Sequence, residues 1–262
     1  MPKGNKKRTY KKKPKLPFTS RKVDVKQNKA IKNLAKRVDN IRKEQELKCW
    51  IFFDNFAFGS TMTTTLSQTN PFKLLLNGPV KGDNLYSRDG DQIKNTSIRI
   101  NGTIYPTAAP GIGIDALFRI IIVRYKAPQG RDLQIVGNTM SATNGPPLFY
   151  ATPGNPVWPQ MTYNNGVDQQ GSPMSQYDIV YDRKYRMNNF VGTTITGPVN
   201  ACVNPSINFD IKRRLNFISS HNLGNGGTYA DFSKNSLFVI FITETNTNCT
   251  LKMNTHLYFK DT

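Results

Sequence analysis

Histidine and cysteine are scarce in this chain. His221 and His256 are the only histidines, and Cys49, Cys202 and Cys249 the only cysteines, in 262 residues. The two histidines stand far apart. There is no GxSxG, HExxH or CxxC, and Gly224-Asn225-Gly226-Gly227 lacks the Lys-Ser/Thr that ends a phosphate-cradling loop. No enzymatic activity, cofactor or resident metal is therefore expected. An odd number of scattered cysteines offers no disulfide framework and suits a reducing compartment. Long apolar runs are also missing. The stretches at 120–123 and 237–242 are far too short to cross a bilayer, so no membrane insertion is expected. The basic start has no apolar segment behind it, which argues against a secretory leader. The sequons at Asn95, Asn101 and Asn248 then read as chance matches in a chain rich in Asn and Thr. Glutamate is nearly exhausted early, since Glu244 is the only one beyond Glu46. That scarcity of a helix former fits a β-rich body.

What is present in excess is positive charge, a formal +19, and it is unevenly placed. Residues 1–48 hold 18 Lys/Arg against Asp24, Asp39, Glu44 and Glu46, while the rest of the chain is nearly balanced. Within 1–23 stand Lys3, Lys6, Lys7, Arg8, Lys11, Lys12, Lys13, Lys15, Arg21 and Lys22, with no carboxylate before Asp24. Such a segment repels itself and stays extended until a polyanion neutralises it. Pro2, Pro14 and Pro17 disfavour helix as well. The expectation is a basic, disordered arm over 1–23 that binds nucleic acid. A solvated tail or a nuclear-import signal is the plainer alternative.

From 24 to 47 the pattern is helical. Ile31, Leu34, Val38 and Ile41 fall on one face, and Lys32, Lys36, Arg37, Arg42 and Lys43 fall mostly on the others, with Asn28 or Asp24 as candidate caps. The stripe is narrow, which suits pairing with copies of the same helix while the basic back, including Lys32, Lys36 and Arg37, touches nucleic acid. Packing on the chain's own body is the alternative.

Residues 48–262 read as one all-β domain. A strand is expected at 48–57, then an irregular passage to about 88. The turn Arg88-Asp89-Gly90-Asp91 leads into a strand with Ile98, Ile100 and Ile104 on one face and a bulge or bend at Gly102. Residues 116–125 suggest a strand buried on both faces except at Arg119 and Arg124. Residues 127–174 look like long surface loops with short strands inside, and Phe149, Tyr150, Val157 and Trp158 are either exposed interface anchors or a cover for the end of the sandwich. Later, Tyr177, Ile179 and Tyr181 alternate with polar neighbours, as do Ile207 to Phe217 and Leu251 to Phe259. Period two over so many segments argues for antiparallel strands in a two-sheet sandwich. Lys212-Arg213-Arg214 and Arg183-Lys184-Arg186 would add to the arm's charge if they face a nucleic acid, and otherwise serve as solubilising strand-edge charge. Asp83, Asp89 and Asp91 could gather around calcium, but the spacing is not that of an EF-hand loop.

Ser87-Arg88-Asp89-Gly90-Asp91-Gln92-Ile93, then Ser97-Ile98-Arg99-Ile100-Asn101-Gly102-Thr103-Ile104, then Leu117-Phe118-Arg119-Ile120-Ile121-Ile122-Val123 resembles a pattern in capsid proteins of circovirus-like viruses with circular single-stranded DNA. It is also similar to the coat protein of satellite necrosis viruses, which carry RNA. The resemblance covers about 1–126 and 175–262. It implies a single jelly-roll antiparallel β-sandwich, self-assembly into a small icosahedral shell, and packaging of a single-stranded genome by the arm. DNA stands slightly ahead of RNA, although the helix before the barrel looks more like the satellite-virus arrangement. Further implied partners are a host import receptor, read through residues 6–15, and a cell-surface receptor. The implied locations are the virion and the host nucleus. Outside the viral reading stand a ribosome-associated type of nucleic-acid-binding protein and a carbohydrate-binding jelly roll with a basic targeting tail.

Overall fold

The computed structural model describes residues 21–43, 47–51, 62–66, 71–106, 115–137, 143–150, 158–163, 176–188, 206–222, 226–244 and 249–262. The chain divides into two compact units, Met1–Gln45 and Glu46–Thr262.

The first unit contributes α1, Arg21–Lys43. The helix starts before Asp24 and Leu47 lies outside it, so the expected span of 24–47 is displaced toward the N-terminus. Asp24 acts within the first turn, where a carboxylate favours the positive end of the helix dipole, and Asn28 lies inside the helix. Val23, Val25, Ile31, Leu34 and Val38 are all exposed.

The second unit is mostly β and antiparallel. Its strands in chain order are β1 Lys48–Ile51, β2 Met62–Leu66, β3 Phe72–Leu75, β4 Gln92–Pro106, β5 Asp115–Tyr125, β6 Asp132–Gly137, β7 Asn144–Tyr150, β8 Tyr177–Asn188, β9 Ile207–His221, β10 Phe232–Lys234, β11 Ser236–Thr243 and β12 Cys249–Asp261. One sheet runs β1-β12-β4-β9-β10, with β2 also pairing along β12 beside β1; a second runs β3-β11-β5-β8. The expected irregular passage thus contains β2 and β3. The Thr63–Thr65 run hid β2, because threonine favours strands without marking a buried face.

Inward residues of both sheets form one core, including Ile98, Ile100 and Ile104 of β4, Ile211 and Phe217 of β9, Ile120 and Ile122 of β5, and Phe241 of β11. A second core lies on the other side of the β3-β11-β5-β8 sheet. There Ile121, Val123, Phe238 and Ile240 meet Leu133, Leu148, Phe149 and Tyr177. β6 and β7 pair in parallel to form this cover. Residues 127–174 are therefore only partly surface material: Leu133, Leu148 and Phe149 are 0% exposed, so Phe149 is a core residue and no interface anchor. Trp158 is exposed, while Val157 lies outside the described residues. A sheet covered on both faces explains why β5 and β11 are continuously apolar.

Two bulges set which side chains face where. Thr96 is the extra residue of β4 against β12, and its hydroxyl donates to the Tyr258 carbonyl at 2.7 Å. This brings Ile93 and Asn95 inward although they are out of step with Ile98. In β8, Val180 is extra opposite Ile122 and Val123. Tyr177 and Ile179 consequently meet the second core, while Tyr181 and Tyr185 pack against the first; they do not share one face.

Gly102 is not a bulge, since it sits in regular register between Phe209 and Met253. Glycine is required there by close approach. A Cβ would lie 2.8 Å from the Phe209 ring and press on the Lys252 carbonyl oxygen. Gly102→Ala should therefore lose about 1–3 kcal/mol of stability in a urea denaturation series. Unchanged stability would mean that β12 yields at no cost.

Arg119 is buried as well, contrary to the sequence reading. Its Nε and Nη2 donate to Asp182 at 2.8 and 2.6 Å, its Nη1 donates to the Pro159 and Met161 carbonyls, and it stacks on Phe149 and Tyr163. Burial tends to raise the Asp182 pKa, but hydrogen bonds from Arg119 and Tyr163 outweigh it and hold the carboxyl below the usual range. The guanidinium clamps residues 158–163 onto the covered sheet.

Candidate nucleic-acid interface

The two sheets are dressed differently. The outer face of β3-β11-β5-β8 lies under β6 and β7, whereas among the described residues the outer face of β12, β4 and β9 carries only side chains of those strands. Pairing brings separate polar positions together on this open face. Arg99 of β4 sits between His256 of β12 and Lys212 of β9; Lys94 pairs with Lys260; Ser97 lies between Tyr258 and Arg214. Thr103 pairs with Lys252, whose ammonium lies 5.2 Å from the Tyr105 ring centre. Among the described residues the face thus gathers Lys94, Arg99, Lys212, Arg214, Lys252 and Lys260 around one carboxylate, Asp210. Asp210 accepts from Arg99 at 3.0 and 3.1 Å and lies 3.5 Å from Lys212. Arg99, followed by Lys212, holds the Asp210 carboxyl below its usual range, so it stays charged and offsets only part of the cationic excess. Cations interleaved with Tyr105, Tyr258 and His256 make a surface suited to phosphates and bases.

Strand alternation splits the two basic triplets. Lys212 and Arg214 belong to the open face, whereas Arg213 turns to the other side and lies over Tyr181 at 4.7 Å. In β8, Arg183 faces the same cleft beside Tyr185, while Arg186 faces the covered side near Gln160 and Glu244. Neither triplet acts as a unit.

Of the residues expected to bind nucleic acid, Lys3, Lys6, Lys7, Arg8, Lys11, Lys12, Lys13 and Lys15 lie outside the described residues. Arg21 and Lys22 open α1, and Lys32, Lys36 and Arg37 are exposed along it. Sequence reasoning did not single out Lys94, Arg99, Lys252 and Lys260 as a site. Their positions on polar strand faces were visible, but only the β9-β4-β12 pairing makes them one surface.

The calcium idea meets an electrostatic obstacle. Lys48, buried at the start of β1, binds Asp89 at 2.6 Å and Asp261 at 2.9 Å. Asp91 is engaged by Lys81 at 3.4 Å and by the buried Arg88 at 3.2 Å. Two of the three carboxylates therefore already have cationic partners, and among the described residues no cluster of three or more metal-ligating side chains occurs. Burial would lower the Lys48 pKa, but its two carboxylates outweigh that effect and raise it. Its job is to tie β1, the turn before β4 and the end of β12 together.

Compared with known proteins, the chain matches no protein-family model and no curated sequence.

Proposed function

We propose that this chain is a viral capsid protein, the subunit of a small icosahedral shell that packages a single-stranded genome through its Lys/Arg-rich N-terminal segment. The observation that carries the reading is the one-sided dressing of the sandwich. One sheet is roofed by β6 and β7, and the other presents a cationic face that no other described strand covers. A shell subunit needs that difference, because one surface meets the enclosed polyanion and the opposite one meets the outside. The cationic residues 1–48 precede and open β1, an edge strand of the basic sheet, which suits binding of one polymer by both.

The strand order supports a jelly roll. With β1 and β2 taken as one edge strand and β6, β7 and β10 as additions, the sheets become β1/β2-β12-β4-β9 and β3-β11-β5-β8, two four-stranded sheets between which successive strands alternate except at β5 and β8, which follow one another in the same sheet. The viral assignment rests further on the resemblance of residues 87–123 to small-virus capsid proteins, since a jelly roll alone serves many functions. In this reading the chain has no catalytic role and takes no cofactor. It resides in the virion, with passage through the host nucleus if residues 6–15 engage an import receptor, and its outer loops are what a cell-surface receptor would meet.

Negative-stain microscopy of the full chain tests this directly, in parallel with a version lacking residues 1–23. Uniform closed particles holding nuclease-protected nucleic acid are expected from the full chain, with the protected cargo lost on truncation. Digestion by DNase or RNase identifies the cargo. Monomers at every salt concentration would overturn the shell and leave an isolated nucleic-acid-binding module.

A further inference from the structure

Where the two sheets meet along β8 and β9, the strands lie side by side without pairing, because β8 ends its sheet and β9 is paired with β10 only at Ser220 and His221. Between them opens a cleft of about 580 Å³, lined by Tyr181, Arg183 and Tyr185 from β8 and by residues 208–213 of β9. Its floor is two tyrosines tied hydroxyl to hydroxyl at 2.6 Å. Each carries a guanidinium: Arg213 lies 4.7 Å from the centre of the Tyr181 ring, and Arg183 lies 5.2 Å from that of Tyr185. Burial, then the bond to Tyr181, pushes the pKa of the Tyr185 hydroxyl up to about 12, so Tyr185 stays protonated at neutral pH. Both arginines are exposed, and among the described residues neither guanidinium has a carboxylate within ion-pairing distance. Asp210, the one acid among the described lining residues, is held by Arg99 and Lys212.

From this geometry we infer that the β8/β9 cleft is a stacking site for unpaired nucleobases, which gives the protein a preference for single-stranded over duplex nucleic acid. The inference rests on the nucleic-acid-binding reading above and deepens it. The open face can neutralise phosphates of either form, since cations do not distinguish them. A guanidinium plane backed by a fixed aromatic ring presents a second flat face, on which a splayed base can stack while the charge draws its phosphate. A duplex keeps its bases stacked on one another and cannot use that face. Lys212 lines the cleft and also lies on the open face, so a strand crossing the face reaches the cleft without leaving cationic surface.

The test keeps charge and removes the plane. In the full-length chain, Arg183→Lys with Arg213→Lys preserves net charge but loses the stacking surface. Binding of a labelled oligothymidine and of a duplex of equal length would be compared by anisotropy, at salt high enough to weaken the arm's phosphate contacts. The double variant should bind the single strand about tenfold more weakly or worse, with duplex affinity unchanged and its melting transition retained. Photo-crosslinking with 4-thiothymidine oligomers should label the 181–185 and 209–213 peptides of the parent chain. If both affinities fall equally or neither falls, and crosslinks map elsewhere, the cleft is not a base site although the protein binds nucleic acid. If the parent chain binds neither probe, the nucleic-acid reading itself fails and the cleft with it.

Discussion

Raising the salt concentration from about 50 to 200 mM should weaken the binding of the full chain to a single-stranded oligonucleotide by about four orders of magnitude. The ten cations of residues 1–23 set the scale. Each phosphate neutralised on a single strand releases condensed counterions and contributes a slope of about −0.7 to the double-logarithmic salt plot. Ten contacts give a slope of about −7, and a fourfold rise in salt then reduces affinity by about 10⁴. Removing residues 1–23 should flatten the slope to that of the helix and the open face while the β body keeps its circular dichroism. A truncated chain with an undiminished slope would place the binding energy in the body and demote the arm to a passenger. The proposed shell depends on this contrast, because a tether that binds mainly by charge can follow an irregular genome without demanding sequence or geometry.

Acid should destabilise the β body before its carboxylates protonate. His221 is buried at the end of β9 against the Phe232 ring, 4.3 Å away between centres, and its backbone N–H donates to the Asp91 carbonyl at 2.8 Å. Burial first, and the neighbouring Arg88 charge second, push its pKa from 6.5 down to about 4, against small opposing effects of the Asn77 and Asp91 backbone and of Asp231. The folded state therefore refuses a proton that the unfolded chain accepts. The stability at stake is fully present above the unfolded value of 6.5 and declines as pH falls toward 4. The slope is about 1.4 kcal/mol per unit, or about 3 kcal/mol in all. Asp89, Asp91, Asp182 and Asp210 have depressed pKa values, so their losses begin lower, as pH falls below the usual carboxylate range. His256 is shifted in the same direction as His221 by burial and Arg99 and adds to the same window. Urea denaturation of the chain at pH 7 and 4.5 should show the loss, and His221→Phe should remove most of it. Equal stability of the parent chain at both pH values would sink the argument.

The sequence made the strands legible where one face is buried and the other wet. Ile98, Ile100 and Ile104 in β4, and the alternation in β9 and β12, could be read directly from polarity. It was silent where the period carries no such contrast. β3 is only four residues long, and β7 contains Pro146 and Pro147. Bulges hide for a related reason: an extra residue at Thr96 or Val180 changes no composition, yet reverses every side chain beyond it. Arg119 was misjudged because a charge inside an apolar run is assigned to water unless its partner is known, and Asp182 lies 63 positions away. The candidate interface failed to emerge for the same reason of distance. Single lysines on three strands become a surface only through their register.

The two apolar clusters also bear on the order in which the molecule comes apart. The cluster beneath β6 and β7 is smaller than the central one and draws Leu133, Leu148 and Phe149 from the cover. The Arg119 clamp and the Lys73–Asp132 ion pair at 2.5 Å fasten that side. β4, β9 and β12 answer instead to the central cluster. Loosening the cover would bare one face of β5 and β11 while leaving their ladder hydrogen bonds in place, a partial opening of low free energy rather than collapse. Amide exchange should therefore proceed in tiers, with 132–137 and 144–150 exchanging first and the cationic sheet last. In the proposed shell, the covered side would then breathe and accumulate substitutions while the cationic sheet stays in register.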